Sequence, residues 1–201
     1  MPDTTWPSPS QGARYEGDPD RVALLVPGVN YSPERPLLHF AGAVFMRYGW
    51  TVQEVRWPER PPQREGQDLQ AWFAGLRSFV QLTIGQALKR ETAPRIALVG
   101  KSLGAFAAML AADRRLPGIW LTPVLRDSPL PADLRRATAP FLLVGSTGDP
   151  SWDPDVARSF GQPIFEAQRA DHGMETDEDP INSADILRQV TIAMDAFAST
   201  L

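Results

Sequence analysis

Residues 95–110 read RIALVGKSLGAFAAML and contain the pattern G-x-S-x-G at positions 100–104. An apolar run at 95–99 precedes the pattern, and a second apolar run, typical of a helix, follows it. The sequence therefore predicts a strand, a sharp turn that carries Ser102, and a helix. In such a turn the serine lies on strained backbone with its hydroxyl exposed above the sheet. Gly100 and Gly104 support this interpretation, because a side chain at either position would collide with the neighbouring helix or strand.

The same residues are similar to the end of a phosphate-binding loop, whose pattern is G-x-x-x-x-G-K-[ST]. That pattern would need its first glycine at position 95, where this chain has Arg95. The segment before Gly100 contains no glycine that could cradle a phosphate. The sequence therefore argues against a nucleotide-binding loop at this position.

Composition limits the classes of function. The 201 residues, of which 43% are apolar, are enough for one globular domain with a substantial core. The net charge is -4 and no basic stripe is visible, which argues against nucleic acid as a partner. The chain has no cysteine, which excludes disulfides and a thiolate nucleophile, and only two histidines, His39 and His172.

The amino-terminal residues 1–17 are rich in Pro, Ser, Gly and Asp and are predicted to form a flexible arm. A single domain is expected over residues 18–201. The arm lacks the basic start and apolar segment of a signal peptide. No stretch approaches the roughly 18 apolar residues that a membrane span needs. We therefore expect a cytoplasmic protein with no membrane span.

Periodicity predicts alternating strands and helices. Strands are predicted at 21–26, 50–57, 95–99, 118–122, 141–145 and 163–167, and helices at about 33–48, at 68–90, after the Ser102 turn and at 183–197. Such alternation predicts right-handed βαβ units, and hence a mostly parallel sheet of about six strands with helices on both faces. The segment 123–140 is too short for a separate cap domain.

Polar side chains are expected where three of these strands end. Ser102 follows the third predicted strand, Asp149 the fifth and His172 the sixth. Functional groups of parallel sheets collect at this edge. A serine hydroxyl needs a base to become a nucleophile, and imidazole accepts and returns a proton near pH 7. A carboxylate behind the imidazole orients it, so the sequence predicts Ser102 as nucleophile, His172 as base and Asp149 as acid.

Each of these residues also has a structural interpretation. Ser102 could cap a helix, Asp149 could stabilise a Gly-Asp-Pro turn, and His172 could be a solvent-facing loop residue. The order along the chain and the shared edge of the sheet favour the catalytic interpretation.

Other polar residues complicate the assignment. Asp153 is the second candidate for the acid, whereas Asp171, which is adjacent to His172, is expected to point away from it. His39 lies in the first predicted helix and is expected to be a packing or surface residue.

Acyl transfer also needs hydrogen-bond donors for the oxyanion. The backbone N–H of Leu103, next to the nucleophile, is one candidate, and that of Val29, in the turn after the first predicted strand, is the other. The candidate substrate-binding residues, judged only from their places at strand ends, are Asn30, Lys101, Trp57 and Trp152. Lys101 could help to bind an anionic substrate or could point into solvent, and we favour solvent.

On these residues the chain resembles the α/β-hydrolase superfamily, specifically its small, cap-less serine hydrolases of the dienelactone-hydrolase-like or bacterial carboxylesterase-like kind. The resemblance covers about residues 21–198. It implies a three-layer α/β-hydrolase fold with a shortened sheet that lacks the usual two leading strands. Pro27-Gly28 in place of His-Gly at the oxyanion turn, and Lys101 before the serine, depart from the common pattern. These departures concern the substrate more than the reaction.

The expected function is hydrolysis of an ester, thioester or related acyl bond of a small molecule through an acyl-enzyme. This mechanism needs neither a metal nor an organic cofactor. Two alternatives are a non-catalytic binding protein on the same scaffold and a hydrolase of an acylated protein or lipid, with residues 1–17 as a docking element.

Overall fold

A seven-stranded sheet forms the centre of the computed structural model, which describes residues 11–201. The strands are β1 (Gln11–Tyr15), β2 (Asp18–Val26), β3 (Trp50–Val55), β4 (Arg95–Lys101), β5 (Gly118–Leu121), β6 (Phe141–Ser146) and β7 (Ile164–Ala167). Their order in the sheet is β1-β3-β2-β4-β5-β6-β7. Only β1 pairs antiparallel with its neighbour, and the remaining pairs are parallel. The carboxyl ends of β2 to β7 therefore lie along one edge.

Helices cover both faces of this sheet. They are α1 (Pro36–Arg47), α2 (Leu69–Arg90), α3 (Ala108–Arg114), α4 (Leu130–Arg135), α5 (Pro154–Arg158) and α6 (Pro180–Ala198), with a 3-10 helix at Ser102–Ala107. One core lies between the sheet and α2 to α5, and a second lies between the sheet and the pair α1 and α6. The three layers and the mostly parallel sheet confirm the predicted fold class.

Central strands bury both faces, which explains their unbroken apolar sequences. Leu24 and its register partner Leu98 face the core under α2, whereas Leu25 and its partner Val99 face the core under α1 and α6. Alternate residues of one strand therefore enter different cores, and both sets must be apolar.

The predicted flexible arm is wrong for part of its length. Gln11–Tyr15 form β1 at the edge of the sheet, where Arg14 pairs with Gln53 and Tyr15 with Val52. No apolar pattern marks this strand, because the side chains of Ala13, Arg14 and Tyr15 are exposed and the segment is held by backbone pairing. Within residues 11–201 the sheet thus has seven strands rather than about six. Residues 1–10 of the predicted arm lie outside the described residues.

Other boundaries differ by a few residues. The last helix begins at Pro180 rather than at 183, because the Asp179 side chain accepts a hydrogen bond from the Asn182 N–H and caps it. The short helices α4 and α5 were not predicted, since five or six residues show too little periodicity. Among the helices of residues 11–201, none has both the length and the apolar character of a membrane span.

Candidate active site

The turn between β4 and the 3-10 helix places Ser102 at φ 52°, a conformation that non-glycine residues rarely adopt. A Cβ at Gly100 would lie 2.4 Å from the Gly104 carbonyl oxygen, and one at Gly104 would lie 2.3 Å from the Val26 carbonyl oxygen. Real Cβ atoms do not approach backbone so closely. The strained serine and the close approaches predicted for G-x-S-x-G are therefore both present.

A chain of two hydrogen-bond contacts joins Ser102, His172 and Asp149. The Nε2 atom of His172 lies 2.8 Å from Ser102 Oγ, and its Nδ1 atom lies 2.7 Å from Asp149 Oδ2. The Asp149 side chain is fully buried, whereas the His172 side chain is 39% exposed. The structure thus brings together the three residues that the sequence selected, with the carboxylate inside and the hydroxyl at the surface.

The Asp149 carboxylate is stabilised in its charged form despite its burial. Burial alone would raise the pKa of Asp149. The hydrogen bond and charge of His172, the Ser151 N–H and the charge of Lys101 act in the opposite sense, and together they hold the pKa of Asp149 below its usual value. An ionised carboxylate at Nδ1 favours a proton there and leaves the Nε2 lone pair facing Ser102.

The two other candidate carboxylates make different contacts. Asp153 accepts hydrogen bonds from the N–H groups of Asp155 and Val156 and caps α5. Asp171 accepts from the N–H groups of Gly173 and Glu175 and braces the loop around His172. Since Asp149 alone of the three contacts the imidazole, the geometry favours Asp149 over Asp153 as the acid.

The two backbone positions expected to hold an oxyanion lie at neighbouring turns. The Gly28 N–H donates to the Tyr31 carbonyl at 3.0 Å and closes the turn that contains Val29. Gly104 packs against the carbonyl groups of Val26 and Pro27, which precede this turn, so the turn lies against the start of the 3-10 helix. Leu103 is in the first turn of that helix, where N–H groups lack partners within the helix. Their role as oxyanion donors stays a prediction.

Ser102 and His172 open onto a surface cavity of about 340 Å³. Val29, Asn30 and Lys101, three of the residues that the sequence placed near the substrate, line it. A second cavity of about 350 Å³, between α1 and the amino-terminal end of α6, shares Tyr31, Gly173 and Glu175 with the first. The two cavities are therefore adjacent.

Two candidate substrate-binding residues lie elsewhere. Trp57 does not line the Ser102 cavity: its indole N–H donates to the Gly28 carbonyl at 3.1 Å and its ring packs on Phe79 in α2. Trp152 is 1% exposed and belongs to the core. Both predictions as cavity walls are wrong, because these large rings turn inward from the sheet edge to fill space between helix and strand.

Lys101 does not point into solvent, contrary to the expectation. It is 1% exposed, its Cγ lies beside Gly28, and its Nζ lies 4.9 Å from the centre of the Tyr31 ring. Burial lowers its pKa to about 8, against the opposing influence of Asp149 and Asp171. No pattern in the sequence around Lys101 distinguishes an inward from an outward orientation of its side chain.

Sequence analysis missed three lining residues of the cavity. Tyr31 and Arg35 follow β2, and the Arg35 guanidinium lies 5.4 Å from the Tyr31 ring centre. Glu175 lies in the loop after His172. Only their nearness in sequence to predicted site residues could have indicated them. Within residues 11–201, no cluster of three or more His, Asp or Glu side chains is arranged to hold a metal ion.

Comparison with known proteins identifies the architecture. No family model and no curated protein matches the chain. Est1E from Butyrivibrio proteoclasticus, solved with ferulic acid, is 13% identical, with 94% of this chain and 93% of that one covered and a TM-score of 0.66. A serine hydrolase without a lid from Xanthomonas campestris is 15% identical (92% and 88% covered, TM-score 0.61). A dienelactone hydrolase from Anabaena variabilis is 16% identical (89% and 88% covered, TM-score 0.62).

The chain has the α/β-hydrolase fold. At these identities the likeness concerns the fold, and the predicted resemblance is confirmed at that level. In this α/β-hydrolase fold Ser102 occupies the turn after β4, at the centre of the sheet.

A methyl group added at Gly104 is expected to destabilise the protein, whereas one added at Gly85 is expected to stabilise it. Gly104→Ala should lower the free energy of unfolding by about 2–3 kcal/mol, because its Cβ would collide with the Val26 carbonyl. Gly85→Ala, in α2 with no atom near the added Cβ, should raise it by about 0.5–1 kcal/mol. Urea unfolding measures both, and an unchanged stability of Gly104→Ala would contradict the geometry.

Substitutions of Trp152 test whether its side chain belongs to the core or to the cavity wall. The indole N–H donates to Glu166 at 2.8 Å, and the ring lies over Gly145. Trp152→Ala should therefore lower the free energy of unfolding by about 3–5 kcal/mol, and Trp152→Phe, which keeps most of the ring, by about 1–2 kcal/mol. A Trp152→Ala variant of full stability with an altered KM would instead indicate a substrate contact.

Proposed function

We propose that the protein is a serine hydrolase that cleaves an ester, or a related acyl bond, of a small substrate. The observation that carries this proposal is the contact chain from Ser102 through His172 to the buried Asp149, next to an open cavity. The fold supports it, since Est1E and a lidless serine hydrolase share the architecture.

In the acylation step, Ser102 Oγ attacks the carbonyl carbon while His172 Nε2 takes the hydroxyl proton. The C–O bond to the leaving group then breaks, and the imidazolium gives its proton to the departing alcohol. Asp149 stabilises the imidazolium through the Nδ1 contact of 2.7 Å. The products of this step are an alcohol and an acyl group on Ser102.

Water completes the cycle by the same route. His172 removes a proton from water as the oxygen attacks the acyl carbon, and Ser102 leaves with that proton restored. The net reaction adds one water across the acyl bond. In both steps the N–H groups of Leu103 and Val29 are the proposed donors to the oxyanion, and each donor of this kind contributes about 3–4 kcal/mol to the transition state.

The shape of the site favours small acyl groups. The cavity holds about 340 Å³. The chain between β5 and β6 contains only the short α4, so no cap covers the sheet edge there. The alternatives of a binding protein and of a hydrolase for acylated proteins or lipids stay hypotheses, and most of the docking arm that the latter would use lies outside the described residues.

Kinetics of a short-chain nitrophenyl ester test the proposal. Ser102→Ala, His172→Ala and Asp149→Asn should each lower kcat by about a thousandfold or more, because each removes one member of the proton-transfer chain. Asp153→Asn keeps a capping side chain on α5 and should leave kcat within about twofold of the wild type.

Circular dichroism confirms that the compared variants are folded. Turnover by Ser102→Ala at the wild-type rate would exclude this site as the origin of the activity. A larger loss in Asp153→Asn than in Asp149→Asn would reassign the acid.

A further inference from the structure

We propose that Lys101 is a specificity-determining residue that binds a carboxylate of the substrate, so that the site prefers esters with a negative charge close to the scissile carbonyl. The inference rests on the proposed hydrolase function and extends it to a substrate class. Esters of this class are monoesters of short dicarboxylic acids.

The ammonium group of Lys101 is largely shielded from solvent and makes no ion pair within residues 11–201. Lys101 is 1% exposed, and in the described part of the chain its Nζ makes no ion pair or hydrogen bond to a protein group. Because Nζ is not one of the fully buried unpaired side-chain atoms, the small accessible surface of Lys101 includes Nζ, and Lys101 lines the cavity. The Nζ atom lies 4.9 Å from the centre of the Tyr31 ring. Lysine is almost never fully buried unless it is paired, because loss of hydration is costly. A carboxylate in the cavity would supply the acceptor that this ammonium lacks among the protein groups.

The position of Lys101 next to the nucleophile also supports a contact with the substrate. Lys101 directly precedes Ser102, and both line the same cavity with His172. The lysine stem passes Gly28, where a Cβ would lie 3.6 Å from Lys101 Cγ. The lysine stem therefore lies beside the turn that is proposed to hold the oxyanion, and its Nζ lies against the ring of Tyr31, at the end of that turn. A carboxylate only a few bonds from the scissile carbonyl could reach the ammonium while the carbonyl carbon faces Ser102.

The nearby acidic groups are already engaged or exposed. Asp149 accepts from His172 and from the Ser151 N–H. Asp171 accepts from two backbone N–H groups of its own loop, and Glu175 is exposed at the rim. Water screens charges at the rim, whereas the interaction with buried Lys101 acts in a less polar environment and is stronger. The guanidinium of Arg35, on Tyr31, adds a positive charge at the entrance.

The reaction on such a substrate balances without a co-reactant. Water adds across the ester C–O bond, and the products are the dicarboxylate, the alcohol and one proton. The carboxylate bound to Lys101 is unchanged in the reaction and serves only to orient the substrate.

Competition with fluorophosphonate labelling of Ser102 tests the inference. The competitors are monoethyl succinate and ethyl succinamate, in which a neutral carboxamide replaces the carboxylate at nearly the same shape. In the wild type the inhibition constant of the anion should be at least about tenfold lower than that of the amide, as for a charge-assisted hydrogen bond. In Lys101→Met that ratio should fall to about one.

The chain offers a matched control in its only other lysine. Lys89 is exposed in the last turn of α2, and Lys89→Met removes the same charge far from the cavity. This variant should keep the wild-type ratio. Equal protection by the two competitors in the wild type, protection by neither, or a preference for the anion that survives in Lys101→Met would each overturn the inference.

A pH series on the wild type tests the same point without a variant. Lys101 should lose its positive charge as the pH rises through about 8, which is its pKa. The preference for the anion should therefore be present at pH 7 and disappear above that pKa. Asp149, His172, Asp171, Glu175, Arg35 and Tyr31 also face this region. Ethyl succinamate controls for the titration of these groups, since it binds at the same site without a negative charge. A ratio of the two inhibition constants that does not change with pH would contradict the inference.

The two proposals fail in different ways. If the fluorophosphonate labels no serine in folded protein, the proposed hydrolase function is wrong. If Ser102 is labelled but the anion has no advantage, the hydrolase function stands and only the substrate class is wrong.

Discussion

The packing of Gly104 against the carbonyl groups of Val26 and Pro27 is the constraint on which the rest of the site depends. The absence of a Cβ at Gly104 allows the 3-10 helix to pack on the end of β2, and the chain leaves β4 through a residue in the left-handed region. That residue is Ser102, at φ 52°. The strain at Ser102 is offset by the surrounding packing, and its result is a hydroxyl raised above the sheet beside the turn of Val29.

Charge in this region follows a gradient of burial. The Asp149 side chain is buried, and its contacts favour the ionised carboxylate. The His172 side chain is partly exposed, and Ser102 lines the cavity. A buried carboxylate interacts strongly with the imidazole because water does not screen it. Lys101 is a second buried charge at the same sheet edge, but of opposite sign; within residues 11–201 it makes no ion pair, and its Nζ lies against the Tyr31 ring. The roles proposed for the two groups therefore differ: proton transfer for Asp149 and substrate recognition for Lys101.

Three features could be predicted from the sequence: the strand ends, the Ser102 turn, and the proximity of Ser102, Asp149 and His172. They depend on local sequence and on the parallel arrangement of the strands. β1 could not, since an exposed edge strand is held by backbone pairing and needs no apolar pattern. The orientations of Lys101, Trp57 and Trp152 depend on the space left by Gly28, α2 and Gly145, which no periodicity reveals. Tyr31 lies next to Asn30 in the sequence, but its contact with Lys101 depends on tertiary packing.

The measurement that tests the central claim most directly is the mapping of a fluorophosphonate adduct by peptide mass spectrometry, in the wild type and in His172→Ala. The account requires one modified residue in the wild type, Ser102, and a loss of that modification when the imidazole is removed, because the probe reacts only with an activated serine. Modification of another residue, modification of Ser102 at an equal rate without His172, or no modification of folded wild-type protein would contradict it.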